Sequence, residues 1–395
     1  MEKVGFVMAV EAKEGNIAEL CRRFGISRQT GYEVLARHRT EGYEGLRTRS
    51  HAPRKKPHAM SEVVKELVLD LRRERPSWGP KKLKAYLERL EGAKPEDQRR
   101  RMPAASSMGD LLKQEGLIVK RRKRPGGQVP SSEPLGHADE PNRVWSIDFK
   151  GYFKTGDGKR CEPLTVTDNE SRYLVKLVAM TGIESERVRA VMEAAFREHG
   201  LPEAIRSDNG APFASNAPGG VTKLSLWWER LGIRHERIEP GKPQQNGRHE
   251  RFHLSLLRDR LDHGIAWDLR AQQRVFERYH REFNEERPHE ALEMHTPAER
   301  YRPSAKRYDG QNPDFEYGEG FQTRRVYGQG TILWAAERIP ISPVLAGENV
   351  GLREEEEDLF AVYCGRIFLG WLENRTNTFV REDRAERWAK KKTAA

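Results

Sequence analysis

Three acids stand in settings that demand an explanation: Asp148 in VWSIDFKGYF (144–153), Asp208 in RSDNGAPF (206–213) and Glu250 in PQQNGRHERFHLSLLRDRL (243–261). Taken alone, Asp208 is an ordinary turn residue, because aspartate is depleted within strands and Asn-Gly favours a turn. Asp148 is harder to dismiss. If Trp145, Ile147 and Phe149 face one way, it faces the other, between Ser146 and Lys150, mid-strand, where a lone carboxylate is unfavourable. Glu250 falls on the stripe of Leu254, Leu257 and Leu261, with Asn246 one turn earlier, on a helix otherwise rich in arginine and opened by Pro243. Three carboxylates that converge repel one another, and divalent cations relieve the repulsion. Mg²⁺, or Mn²⁺ in its place, takes oxygen ligands and needs only one or two protein carboxylates beside a phosphate. Two such ions about 4 Å apart activate an attacking oxygen and stabilise a leaving one in an in-line displacement at phosphorus.

The elements around these acids must bring them together. VWSIDFKGYF, CEPLTVTDN and RYLVKLVAM are apolar, β-branched or aromatic runs parted by turn residues, which predicts a three-stranded antiparallel meander. ESERVRAVMEAAFREHG (184–200) predicts an amphipathic helix stopped by Gly200, and LPEAIRSD a fourth strand. A right-handed crossover lays that strand beside the first, so Asp208 comes near Asp148. A helix near LSLWWERLG, a short strand IRHERI and the helix from Pro243 to about His263 complete an α/β domain with a mixed sheet. Asp168 and Arg172 are read as pinning a hairpin rather than binding metal, and Asp157 as a turn residue.

The chain of 395 residues is long enough for several cores, and a third of it is charged. Net charge is +11, but residues 1–130 hold 30 Lys/Arg against 17 Asp/Glu, so the excess lies at the front. That asymmetry points to a polyanion-binding module joined to a near-neutral remainder. GNIAELCRRFGISRQTGYEVLARHRT (15–40) predicts two short helices about Gly25, with Ile17, Leu20 and Phe24 on one stripe and Ser27 capping the second. Arg28, Gln29, Thr30 and Tyr32 then open a recognition helix able to reach phosphates and base edges, although a structural helix pair with solvated charges has the same pattern. Residues 61–123 predict a second helical unit built on Leu67, Leu69, Leu83, Tyr86, Leu87, Leu111, Leu112, Leu117 and Ile118. Lys81 and Lys82 lie outside it. The run KRRKR, with Arg121 and Arg122, binds nucleic acid or is a solvated linker.

Residues 125–142 read as an interdomain linker, and 321–375 as short alternating strands of a small β-barrel before a basic tail. The predicted divisions are 1–50 helix-turn-helix, 51–124 a second, winged-helix-like unit, 125–142 linker, 143–303 catalytic core, 304–320 linker, 321–376 barrel and 377–395 tail. Cys21, Cys161 and Cys364 are odd in number and widely spaced, which argues against disulfides or a structural zinc and for buried packing. With no long apolar run and acids in MEKVGFVMAVEAKEG, the expected location is the cytoplasm, with no membrane partner.

WSIDF, RSDNGAPF and PGKPQQNGRHERF resemble the three acidic motifs of the integrase-core (DDE) transposases of bacterial insertion sequences, relatives of retroviral integrase. TVTDNESRYLV resembles that family's second and third strands. The likeness covers about residues 140–300 and, more loosely, the front. It implies a ribonuclease-H-like fold, a triad of Asp148, Asp208 and Glu250 holding two Mg²⁺ or Mn²⁺ ions, and a multimer on double-stranded DNA. The implied activity is binding of terminal inverted repeats, 3′-end cleavage and strand transfer, by a protein associated with the bacterial nucleoid. Lys242, Gln245, Asn246, Arg248 and His249 lie beside Glu250, where they hold a DNA end or form a solvated helix face. The twelve histidines show no pairing with cysteine, so the zinc-binding N-terminal domain of retroviral integrases is not expected. Two features depart from the family pattern: 41 residues separate Asp208 from Glu250, an interval longer than in many relatives, and Gln-Gln-Asn-Gly replaces Asp-Asn-Ala. Rival readings are a nuclease without strand transfer and a non-catalytic DNA-binding regulator.

Overall fold

The computed structural model describes residues 2–47, 60–118, 138–239 and 242–382, and the chain divides into two units, Met1–Met60 and Ser61–Ala395. The first unit holds α1 (Glu2–Glu11), α2 (Ile17–Arg23) and α3 (Arg28–Glu41). The predicted pair α2 and α3 turns at Gly25, whose φ of 65° suits glycine. Ser27 caps α3 by accepting the Thr30 N–H at 3.1 Å. Gly31 lets the two helices close, since a Cβ there would lie 2.6 Å from Cys21 Sγ. Helix α1 was not predicted. Its residues 6–10, FVMAV, are apolar without a break and show no 3.6-residue stripe, yet Phe6 and Val7 complete the core with Leu20, Cys21, Val34 and Leu35.

The second unit opens with α4 (Glu62–Glu74), α5 (Pro80–Gly92) and α6 (Ala105–Gln114), with no strand among the described residues of this segment. Val64, Val68 and Leu71 form the buried face of α4 in place of the predicted Leu67 and Leu69, and Trp78, Leu83, Leu87 and Met108 are buried in the same three-helix segment.

The central sheet contains β1 (Val144–Phe149), β2 (Phe153–Lys154), β3 (Arg160–Asp168), β4 (Leu174–Met180), β5 (Ala204–Ser207) and β6 (Arg234–Arg237). Its order is β4-β3-β1-β5-β6, with β2 pairing the start of β3. The pairs β1–β3 and β3–β4 are antiparallel, whereas β1–β5 and β5–β6 are parallel, so the sheet is mixed, as expected. Alternation along the strands separates two cores. Trp145, Ile147, Leu164, Val166 and Ile205 bury against α7 (Ser185–His199) and α8 (Lys223–Arg230). On the opposite face, Leu174 and Leu177 pack with α9 (Gly247–His263) and α10 (Leu269–Arg281) through Phe252, Leu256, Phe276 and Tyr279. The three-helix segment is tied to this domain by charges: Arg75 meets Glu282 and Glu286, each at 3.2 Å, and Arg89 meets Glu299 at 3.4 Å.

After the short helix α11 (Pro297–Arg300) come β7 (Phe321–Arg325), β8 (Thr331–Trp334), β9 (Glu337–Pro340), β10 (Asn349–Glu356), β11 (Leu359–Cys364), β12 (Ile367–Glu373) and β13 (Thr378–Arg381). The expected barrel is corrected here. Five antiparallel strands form an open sheet, β13-β12-β11-β10-β7, while β8 and β9 pair only with each other. Among the described residues the edges β7 and β13 share no hydrogen-bonded partner, so no ring is completed there. This sheet shares a core with Val221 and with Leu226 of α8, and Arg366 pairs with Glu229 at 2.7 Å. All three cysteines are free and buried. No helix of the described residues is long and apolar enough to cross a membrane.

Candidate active site

Parallel pairing sets the first two acids level. Ser146 is registered with Arg206, and two residues further along each strand stand Asp148 and Asp208, at the same end of the sheet. Asp208 follows the last residue of β5 and accepts the Gly210 N–H at 3.1 Å through Oδ1. A Cβ on Gly210 would lie 3.1 Å from Asp208 Oδ2, so glycine keeps that side of the carboxylate open. The Asn209 amide donates to the Ile238 carbonyl at 2.6 Å and ties the turn to the end of β6. Asp148 is half-buried, and its carboxyl pKa is pushed up to about 7, first by burial, then by the charge on Asp208 and to a smaller degree by Glu250. The Phe149 N–H and Lys150 pull the other way and do not prevail. A carboxyl crowded by two other acids in a partly dry setting fits a divalent cation, which replaces repulsion by ligation to hard oxygen donors.

Glu250 is exposed. Its predicted place on a buried leucine stripe is corrected: Leu254 is 46% exposed and Leu257 39%, while Leu261 lies among residues whose side chains are not described. The buried face of α9 is His249, Phe252, His253, Leu256 and Asp259. Glu250 borders that face beside His249, on the side open to solvent.

Two histidines one turn apart are the feature the sequence reading missed. His249 and His253 face Thr165 and Thr167, which alternate on β3, and Thr165 is registered opposite Asp148. The Thr165 hydroxyl donates to the Asp148 carbonyl oxygen at 2.9 Å. Its single proton being used, it accepts from His249 Nε2 at 2.7 Å and from His253 Nε2 at 2.9 Å. His249 Nδ1 then accepts from the Thr167 hydroxyl at 2.8 Å. Both rings are held neutral: burial, and then His253, drive His249 well below the usual range, and burial with Lys150 drives His253 down to about 3. His253 Nδ1 points at Asp148 Oδ2 across 3.7 Å. The H-x-x-x-H spacing on α9 and the T-x-T alternation on β3 were the available signals.

The remaining candidates separate. Arg28, Gln29 and Tyr32 are exposed at the start of α3, whereas the Thr30 hydroxyl is engaged with Ser27 Oγ at 2.8 Å. Lys81 is exposed and 3.5 Å from Glu290. Lys82 departs from the expected outward position. It is half-buried near Arg287, Asp259 and Glu290, and burial followed by the Arg287 charge lowers it to about 8. Arg121 and Arg122 lie outside the described residues. Lys242 pairs with Glu239 at 2.6 Å. Asn246, in the turn just before α9, and His249, which α9 turns toward β3, are buried rather than on a solvated or DNA-facing surface. Gln245 is buried too and bonds to Glu239. Arg248 is exposed and donates to the Asn169 carbonyl at 2.8 Å. Asp168 accepts the Asn142 N–H at 2.7 Å and both the N–H and hydroxyl of Ser171, so it pins the hairpin. Asp157 accepts the Thr155 hydroxyl at 2.6 Å within its turn.

Comparison with known proteins finds matches to both the front and the central domain. Two family profiles, each described as Integrase core domain, match residues 138–243 and 231–297. A Helix-turn-helix domain matches residues 2–55 and a Homeodomain-like domain residues 30–100. A 31.7 kDa protein of insertion element IS407 from Burkholderia multivorans is 32% identical over 244 residues, covering 62% of this chain and 82% of the relative. A 39.2 kDa protein of insertion element IS476 from Xanthomonas euvesicatoria is 30% identical over 189 residues, covering 48% and 53%. Among solved structures, the HTLV-2 integrase catalytic core domain in complex with magnesium aligns at 16% identity and a TM-score of 0.33, over 42% of this chain and 100% of that one. A chain of the simian T-cell lymphotropic virus intasome in complex with PP2A regulatory subunit B56 gamma aligns at 15% and 0.37, over 72% and 97%. With its helix-turn-helix front and its integrase core, this chain belongs to the family of insertion-element integrase-core proteins, the transposase/integrase class of polynucleotidyl transferases.

Proposed function

We propose that this chain is a DNA transposase that binds the terminal inverted repeats of its element, cleaves their 3′ ends and joins them to target DNA. The observation that carries the reading is the level placement of Asp148 and Asp208 at the ends of adjacent parallel strands, with Glu250 near enough to act on the acidity of Asp148. Asp148, Asp208 and Glu250 are the residues that hold two Mg²⁺ or Mn²⁺ ions. Bound there, the ions supply activation of the attacking oxygen and stabilisation of the leaving one. The chain's own part is to fix the carboxylates. Asp208 is oriented by the Gly210 N–H, and the backbone of Asp148 is anchored through its carbonyl by Thr165.

Arg28, Gln29 and Tyr32 are the side chains offered to the element end by the first unit, and Lys81, Arg121 and Arg122 those of the second helical segment. Arg248 and Lys242 flank the acidic site and contact the backbone of the strand being cut. Phosphate contacts of this kind make binding salt-dependent, and the fewer base contacts set register. The protein acts as a homo-oligomer on DNA, since two ends must be joined together, and works in the cytoplasm in association with the nucleoid.

The test uses a labelled duplex carrying the inverted repeats that flank the gene. Mg²⁺-dependent cleavage and joining are expected from the native protein, while Asp208→Asn and Glu250→Gln bind the duplex and do neither. Cleavage without joining would identify a nuclease, and binding without cleavage a regulator.

A further inference from the structure

Asp148, His249 and His253 each bring one donor atom to within 4.8 Å of the others, an arrangement distinct from three carboxylates. The hydrogen bonds decide which of these donors are available. Both nitrogens of His249 are engaged, one by Thr165 and one by Thr167. His253 uses Nε2 as the N–H donor to Thr165, which leaves Nδ1 as the ring nitrogen that carries a lone pair. That nitrogen faces Asp148 Oδ2 at 3.7 Å, too far for a hydrogen bond. Two donors about 2.1 Å from one ion stand roughly 3.4 Å apart in a tetrahedral site and about 3.0 Å apart on an octahedral edge. The observed separation is nearer the tetrahedral span. Imidazole nitrogen suits Zn²⁺ and its neighbours, whereas Mg²⁺ takes oxygen. The threonine on the far side of the ring is the outer partner that ligating histidines use to fix tautomer and orientation.

We propose that His253 Nδ1 and Asp148 Oδ2 form a mixed imidazole–carboxylate site for a borderline first-row divalent ion, with Zn²⁺ preferred over Mg²⁺. Thr165, Thr167 and His249 act as positioning residues that hold the ring of His253. The site rests on the reading of Asp148 as a metal ligand, and it makes Zn²⁺ a competitor for the position that Mg²⁺ takes during DNA joining.

The full chain is tested with the metals alone. Pulsed electron paramagnetic resonance of bound Cu²⁺, which takes imidazole as Zn²⁺ does, is expected to show coupling to an imidazole ¹⁴N that is replaced by ¹⁵N coupling when histidine is ¹⁵N-labelled and is lost in His253→Asn. In equilibrium dialysis, His253→Asn is expected to weaken Zn²⁺ binding by about 10-fold or more and to leave Mg²⁺ binding within about 2-fold. Cu²⁺ that is lost on Asp148→Asn but never shows nitrogen coupling from His253 overturns the mixed site and leaves Asp148 a ligand. Mn²⁺ binding indifferent to Asp148→Asn overturns both. Undiminished Zn²⁺ affinity in a folded His253→Asn protein also overturns the mixed site.

Discussion

Asp148→Asn is expected to stabilise the metal-free protein while removing its response to divalent ions. The native carboxyl holds its proton up to about pH 7, against 3.8 for an unperturbed aspartate. Each pH unit between those values carries about 1.4 kcal/mol, so a folded state with Asp148 ionised bears a penalty of up to about 4 kcal/mol. Because the folded value is the raised one, the penalty is absent below about pH 4, grows as pH rises, and is complete above about pH 7. Asparagine is neutral throughout and keeps an oxygen able to accept from the Phe149 N–H, whose pull on the carboxylate is already contained in the value of about 7. A gain of up to about 4 kcal/mol at pH 8 corresponds to roughly 8–16 °C in Tm for a domain of this size. Thermal melts in a chelator at pH 8 and pH 5 measure it. The variant should melt higher at pH 8, and the gap should narrow to less than half at pH 5. Adding Mg²⁺ at pH 8 should raise the native protein and not the variant. A variant that melts lower than the native protein at pH 8 without metal, or a gap independent of pH, refutes the account of Asp148 as a carboxylate crowded by Asp208 and Glu250.

Other outcomes follow from the same contacts. Thr165→Val removes the one hydroxyl shared by Asp148, His249 and His253, leaving two buried imidazole N–H groups unpaired; a loss of about 2–5 kcal/mol is expected in urea unfolding, and a loss below 1 kcal/mol counts against the network. Glu236→Leu strips the carboxylate from the buried Arg206 guanidinium, 2.8 Å away and two residues before Asp208, at an expected cost of about 3–5 kcal/mol in denaturant midpoint analysis; an unchanged midpoint refutes that role. Arg28→Ala is expected to weaken binding to the element end and to lower the salt slope by about 1 if Arg28 meets a phosphate; an unchanged slope and affinity remove it from the interface.

The acids of the candidate site were legible from local pattern. An acid at an outward position of an apolar strand, an acid at a strand end before Asn-Gly, and the turn chemistry of Gly25 and Ser27 are properties of a few consecutive residues, and side-chain alternation with capping governs them directly. Strand order was reachable because a right-handed crossover leaves few ways to place β5. Other features depend on partners distant in sequence. Apolar residues at 252, 254, 256 and 257 allow α9 more than one buried face, and only the threonines of β3, which satisfy His249 and His253, select the face that turns inward and leaves Leu254 and Leu257 outside. The open C-terminal sheet is of the same kind: alternation predicts strands, but whether a ring closes depends on whether β7 and β13 find a common partner. Sequence alone therefore determined the acids, the strands and the charged front, because these are local. Tertiary structure alone decided which polar groups could be buried, because that requires a hydrogen-bond partner supplied from elsewhere in the chain.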